Sequence, residues 1–280
     1  MARNQDWTDS ENAILVADYL DMLCMELEGK PFVKVRHTEK ISPLLIGRSK
    51  RSIEEKRMNV SAVMVKFGLP YIDGYKPHDH YQRVPLETAV TLGISSSSRF
   101  TAMLEHWSVT PLIADQPKSF EKILAERPSM KVLEPPTVEF KAITKRDYAA
   151  EEQRNRAIGE AGEKLVLDYE KWRLKKEGRS DLVKHVIWSS KEIGDGLGYD
   201  IHSKFATGAD RFIEVKSTSQ GKYTPFYFSQ NELDFSEQKS GSYSLYRVYS
   251  LRKKPEIFVT DGFIGDSFRY QPTAYKGWVS

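Results

Sequence analysis

One cysteine, Cys24, stands in a chain of 280 residues. That scarcity excludes an intrachain disulfide and any zinc site built from several cysteines. Cys24 lies in an apolar helical run, where a buried, unreactive thiol is expected. Long apolar runs are also missing, and no stretch approaches the roughly 20 residues that cross a bilayer. The start of the chain has no apolar segment of secretory type. A reducing cytoplasm with no membrane partner is the expected setting. Charge of one sign is scarce too: 29% of residues are charged, yet the net charge is only +3. A uniformly basic coat is therefore excluded, and contact with a polyanion must come from local patches. The hydrophobic fraction, 40%, is that of an ordinary soluble protein with room for two modest domains.

Residues 6–85 read as helical. Trp7-Thr8-Asp9-Ser10-Glu11 offers capping groups, and Ile14, Leu15, Tyr19, Met22, Leu23 and Leu27 follow at helical spacing. A second helix is expected near 37–46, ending at Gly47. A third has Ser52 and Glu55 at capping-box spacing, then Ile53, Val60, Val63, Met64 and Phe67. Residues 71–85, with Pro77 and Pro85, read as irregular. The connecting stretch 86–147 is less legible. It suggests helices near 99–107 and 117–126 and an extended linker over 128–142.

From 148 the pattern changes. A long helix is expected over 148–177, then strands near 183–188, 199–204 and 211–217. Pro225-Phe226-Tyr227-Phe228 looks strand-like and runs into Ser229-Gln230-Asn231-Glu232, a second capping-box spacing. Strands near 242–251 and 256–260 complete the chain. The expectation is a two-domain α+β protein: helical residues 1–85, a connecting segment 86–147, and an α/β unit over 148–280 with an αβββαβ core.

Two phrases in that second unit carry chemistry: Gly198-Tyr199-Asp200 and Glu214-Val215-Lys216. On neighbouring strands they would bring Asp200, Glu214 and Lys216 together, because alternate residues share a face. Two carboxylates can hold a divalent cation, and a lysine beside them can orient a water. The apolar lead-in Phe212-Ile213 suggests a central strand, where burying charge without a purpose is costly. Gly159 and Gly162 in the preceding helix each cost about 1 kcal/mol against alanine, which points to close helix–sheet packing. Glu163 lies off the main apolar stripe of that helix. It points at the cluster if the glycine face meets the sheet and is solvated otherwise; Glu160 is the alternative acid.

This pattern of Gly162-Glu163, Asp200 and Glu214-Val215-Lys216 resembles the PD-(D/E)XK nuclease superfamily. Tyr199 stands where the proline of that name would be. The phrases Gly-Tyr-Asp-Ile, Phe-Ile-Glu-Val-Lys-Ser-Thr and Pro-Phe-Tyr-Phe-Ser-Gln-Asn-Glu-Leu within 159–250 further resemble a nuclease-like domain of bacterial restriction- and phage-defence-associated proteins. The resemblance implies a restriction-endonuclease-like fold. It implies that Asp200 and Glu214, with the Val215 carbonyl, coordinate Mg²⁺ (Mn²⁺ as substitute), and that Glu163 completes the shell directly or through water. Lys216 would position the attacking water, and Gln230 would contact that water or the scissile phosphate. Gln230 also reads simply as a residue of a helix N-terminus.

The N-terminal helices resemble Myb/SANT-like helix-turn-helix modules. The third helix of such a module enters the major groove. Residues 34–57 hold eight basic against three acidic side chains, a local excess of five. Arg48, Lys50, Arg51 and Lys56 are expected at phosphates, and Asn59 at a base edge. The alternative is a solvated charged helix. His78-Asp79-His80 reads as a surface loop, and His202 could face substrate. The expectation is a Mg²⁺-dependent endonuclease of restriction or phage-defence type acting on double-stranded DNA as a homodimer, possible selectivity for modified bases included. A DNA-binding regulator with a degenerate nuclease fold, or a structure-selective repair nuclease, is the alternative.

Overall fold

The computed structural model describes residues 6–109, 117, 119–128, 137–138, 148–194, 196–252 and 254–272. Most of the expected linker over 128–142 lies outside them. Two compact units result: Met1–Leu112 with Ser129–Arg156 and Tyr223–Pro225, and Ile113–Pro128 with Ala157–Lys222 and Phe226–Ser280.

The first unit is helical. Helix α1 (Asp9–Leu27) opens with a full capping box, in which the Thr8 side chain accepts from Glu11 N and Glu11 accepts from Thr8 N. Helices α2 (Lys34–Ile41), α3 (Lys50–Lys66), α4 (Arg83–Ser96) and α5 (Ser98–Val109) follow. Leu15, Val16, Tyr19 and Leu23 of α1 form one core with Ile53, Val60 and Val63 of α3, Leu86 and Val90 of α4, and Phe100 of α5. Gly93 admits α1 closely, since a β-carbon there would lie 2.6 Å from Val16 Cγ1. Helix α4 begins in the stretch expected to be irregular. Pro85 sits in its first turn, where the missing N–H costs nothing.

The surroundings of α3 correct its expected role. Nearly all of its second half is buried, Asn59 included. Residues 78–80 lie across that side, and Asn59 Nδ2 donates to the carbonyls of His78 (2.6 Å) and His80 (3.4 Å). Lys56 is buried over the Trp7 ring, and burial together with Arg48 pulls its pKa down to about 8. Arg48 packs on Trp7 and pairs with Glu11 at 2.8 Å. Arg48, Lys56 and Asn59 therefore hold the helices together and do not form a groove-reading face. Of the expected DNA contacts, Lys50 and Arg51 are exposed.

The second unit is a five-stranded sheet in the order β1 (Ile187–Trp188), β2 (Ile201–Lys204), β3 (Asp210–Ser217), β4 (Tyr243–Tyr249), β5 (Glu256–Asp261). Pairing is antiparallel except between β3 and β4, which run parallel and are joined through helix α8 (Gln230–Gln238). A crossover helix is what a parallel pair requires. Residues 183–185, expected to begin the first strand, belong instead to a 3₁₀ helix over Ser180–His185. The strand-like run 225–228 is irregular, and the helix expected near 117–126 is not formed. Ala125 N and Ile123 O there bond Ile257, so this short segment pairs beside β5.

Helix α6 (Tyr148–Lys176) covers one face of the sheet. Its buried Glu170 accepts from Arg173 Nε and Nη2, from Ser203 Oγ of β2 and from Tyr246 Oη of β4, all at 2.7–2.9 Å. Burial opposes ionisation of Glu170, but Arg173 and Arg211 hold its pKa below the ordinary value. Strand alternation then places Phe212, Glu214 and Lys216 on the opposite face, under α8, where Phe235 meets the Phe212 ring edge-on.

Candidate active site

The glycine face of α6 does meet the sheet. A β-carbon on Gly162 would fall 1.7 Å from Ser217 Oγ and 2.6 Å from Ser217 Cβ, so only glycine fits there. Its neighbour Glu163 turns inward. Glu163 Oε2 accepts from Trp188 Nε1 at 2.7 Å and from Ser190 Oγ at 2.6 Å. Glu160, the alternative acid, forms an exposed ion pair with Lys191. Trp188 ends β1 and Ser190 lies in the short helix α7 (Ser189–Glu192). Neither stood out in the sequence as a site residue.

Asp200 sits where the β2–β3 ladder ends. The last paired residues are Ile201 and Ile213, and Asp200 N still donates to Ile213 O at 2.9 Å. One step further, Asp200 Oδ2 accepts from Val215 N at 2.8 Å. A side chain thus replaces the strand's own carbonyl and is fixed opposite Glu214. Gly198, at φ +86°, makes the approach possible, since a β-carbon there would lie 2.6 Å from Phe235 Cβ.

Glu214 is only 3% exposed. Lys216 Nζ lies 2.7 Å from Glu214 Oε1 and 2.8 Å from Glu232 Oε2. Glu232 belongs to the first turn of α8, where it also closes the capping box with Ser229. The sequence marked Glu232 only as a cap. The signal that it is more lies in topology: a helix that follows a strand in a parallel crossover starts above that strand's C-terminal end.

The electrostatics of the cluster are those of crowded acids. Burial, then the Glu163 charge, pushes the Asp200 carboxyl up to about 7. Burial, then Asp200, raises Glu214 well above the ordinary carboxylate range. Burial opposes the charge on Lys216, yet Glu214 and Glu232 hold its pKa above the usual lysine value. The buried Tyr243 hydroxyl, raised by burial and then by Glu214, has no hydrogen-bond partner among the described residues.

Asp200, Glu214, Lys216 and Glu163 are thus brought to one place. Gln230 is not: it is exposed and donates to Asp234 one turn along its own helix at 2.7 Å. Among the described residues no three acids, histidines or cysteines converge at metal-ligand spacing. Glu163 lies beside the Asp200–Glu214 pair with its carboxylate bonded to Trp188 and Ser190. His202 stacks on Phe212 and bonds Asp210 at 2.7 Å.

Residues 162–260 match the family model "Protein NO VEIN, C-terminal". The match spans Glu163, Asp200, Glu214, Lys216 and Glu232, and so the whole cluster. Neither the curated proteins nor the solved structures contain a match to the chain. No helix among the described residues is long and apolar enough to cross a membrane.

Proposed function

We propose that the sheet unit is a metal-dependent nuclease of PD-(D/E)XK type that hydrolyses phosphodiester bonds in double-stranded DNA. One observation carries the reading. Asp200, half-buried just ahead of β2, is held beside the buried Glu214 of β3, and each is raised toward its protonated form by burial and by acidic neighbours. Two desolvated carboxylates at one spot are costly unless a cation shares them. Asp200 and Glu214, with the Val215 carbonyl, are the groups that would hold Mg²⁺ or Mn²⁺. Mg²⁺ is commonly held by one or two carboxylates, with waters and substrate phosphate filling its other positions, so the donor set fits. Bound there, the cation would polarise the scissile phosphate and lower the pKa of a water.

The remaining side chains have work of their own. Lys216 is an ammonium donor beside the carboxylate pair, suited to orient a water and to offset charge that develops on phosphate. Glu163, fixed by Trp188 and Ser190, adds negative potential at Asp200. Cleavage of both strands would need two such sites, so a homodimer follows from symmetry. Restriction or phage defence inside the cytoplasm is the biological setting this chemistry suits. In the helical unit, exposed Lys50 and Arg51 remain candidates for phosphate contact, while base reading by α3 is not part of the proposal.

The test is supercoiled plasmid incubated with the full chain in Mg²⁺, Mn²⁺, Ca²⁺ or EDTA, on plain and base-modified DNA. Nicking or linearisation with Mg²⁺ and Mn²⁺ only is expected. Undiminished cleavage in EDTA would refute the reading.

A further inference from the structure

Glu232 is the acid of this cluster that the nuclease reading leaves without a task. It occupies the third position of α8, and its Oε2 accepts from Ser229 N at 3.1 Å. The same oxygen lies 2.8 Å from Lys216 Nζ, while Glu214 Oε1 of β3 lies 2.7 Å from that nitrogen. Lys216 is 17% exposed and Glu232 20%, so the contact is largely shielded from solvent. A cap alone does not need this geometry. The capping box requires only a glutamate or glutamine reaching back to the N-cap nitrogen, with no cation at its second face.

The consequence is a division of one ammonium between two anions. An amine has three donors and takes the direction its acceptors set. With Glu214 as its only anion, Lys216 would close onto the carboxylate that the nuclease reading assigns to the cation. With Glu232 as a second anion, Lys216 Nζ is shared between the two carboxylates, 2.7 Å from Glu214 and 2.8 Å from Glu232, and is tied to both strand and helix.

We infer that Glu232 is a positioning residue: it anchors Lys216 from α8, so that the ammonium keeps an anionic partner when Glu214 turns to a divalent cation. The inference rests on the nuclease reading and deepens it. It makes the start of α8 part of the site, so that the crossover helix sets the placement of a β3 side chain. The cap and the anchor share one oxygen, but they separate chemically. Glutamine at 232 keeps the capping box and loses the charge, whereas alanine at 229 loses the cap hydroxyl and keeps the charge.

The experiment compares the full-length chain with Glu232→Gln and Ser229→Ala by thermal melting, Mg²⁺ titration calorimetry and steady-state plasmid cleavage. Glu232→Gln is expected to melt like the parent. Its Mg²⁺ affinity should fall about 10-fold and its kcat about 10- to 100-fold, with KM for DNA little changed, as for residues that orient a metal ligand. Ser229→Ala should melt lower and, well below its midpoint, bind Mg²⁺ and cleave like the parent. Parent-like Mg²⁺ affinity and kcat in Glu232→Gln would overturn the inference and leave the nuclease reading standing. Equal losses in both variants would also overturn it, because the cap alone would then explain them. A parent chain that neither binds Mg²⁺ nor cleaves would overturn both.

Discussion

Asp200 Oδ2 accepts the main-chain N–H of Val215 at 2.8 Å, so a side chain of one strand end completes the ladder of the next. That single bond fixes Asp200 in place beside Glu214 and joins the fold to the chemistry. The strand pair cannot diverge without moving a carboxylate of the site.

The two acids are expected to trade stability for function. Asn at 200 keeps an oxygen for Val215 N and removes a desolvated charge. Gln at 214 likewise relieves the repulsion between the pair. Asp200→Asn and Glu214→Gln should each raise the melting temperature of the metal-free chain at pH 8 while abolishing cleavage. Mg²⁺ should raise the melting temperature of the parent and have little effect on either variant. A parent indifferent to Mg²⁺ would speak against the carboxylate pair as a cation site.

Gly162 is the tightest point of the α6 packing. Alanine there gains up to about 1 kcal/mol of helix propensity. It must also fit a carbon 2.6 Å from Ser217 Cβ, which is backbone-anchored and cannot swing away. Overpacking of this kind costs about 1–3 kcal/mol, so Gly162→Ala should be destabilised in urea. Gly159→Ala is the control. Its new carbon would meet only Glu163 Oε1 at 3.9 Å, and that variant should be as stable as the parent or more so.

Glu170 ties three elements through one buried carboxylate. Glu170→Ala leaves Arg173 and Arg211 without it, and such broken buried pairs cost about 3–5 kcal/mol. The pH dependence has a definite sign. The folded pKa lies below the ordinary value of 4.5, so the contribution is present above pH 4.5 and is lost as pH falls through the folded value. Urea midpoints measured from pH 7 down to pH 3 should therefore drop more steeply in the parent than in Glu170→Gln.

Asn59 is expected to matter for folding and not for base choice. Asn59→Ala removes a buried amide that ties α3 to the carbonyls of His78 and His80, and should cost about 1 kcal/mol in chemical denaturation. Any DNA affinity of the folded variant should keep its sequence preference. Lys50→Ala with Arg51→Ala should instead lower affinity across sequences and reduce the salt slope by at most about 2.

Much of this arrangement was legible in the residues. The apolar lead-in Phe212-Ile213 before Glu214-Val215-Lys216 marked a central strand, and β3 is the third of five; two glycines in α6 marked a close helix–sheet contact. What the sequence hid was tertiary. Pro85 looked like a breaker because a proline in a first turn and a proline in a loop read alike. Asn59 looked exposed because the helical pattern of α3 cannot show that residues 78–80 fold back over its other side. Glu232 looked like a cap because the parallel crossover that sets it above Lys216 joins strands 26 residues apart, from Ser217 to Tyr243. Trp188 and Ser190 act on Glu163 across a distance in sequence that no local pattern spans.

The most direct test of the central claim is cleavage against binding in Glu214→Gln. Supercoiled plasmid and a labelled duplex are offered to parent and variant in Mg²⁺, with variant folding confirmed by its melting curve. The parent should cut, and the variant should bind the duplex within about threefold of the parent but cut at least about 100-fold more slowly. A folded Glu214→Gln variant that cuts as fast as the parent would contradict that claim.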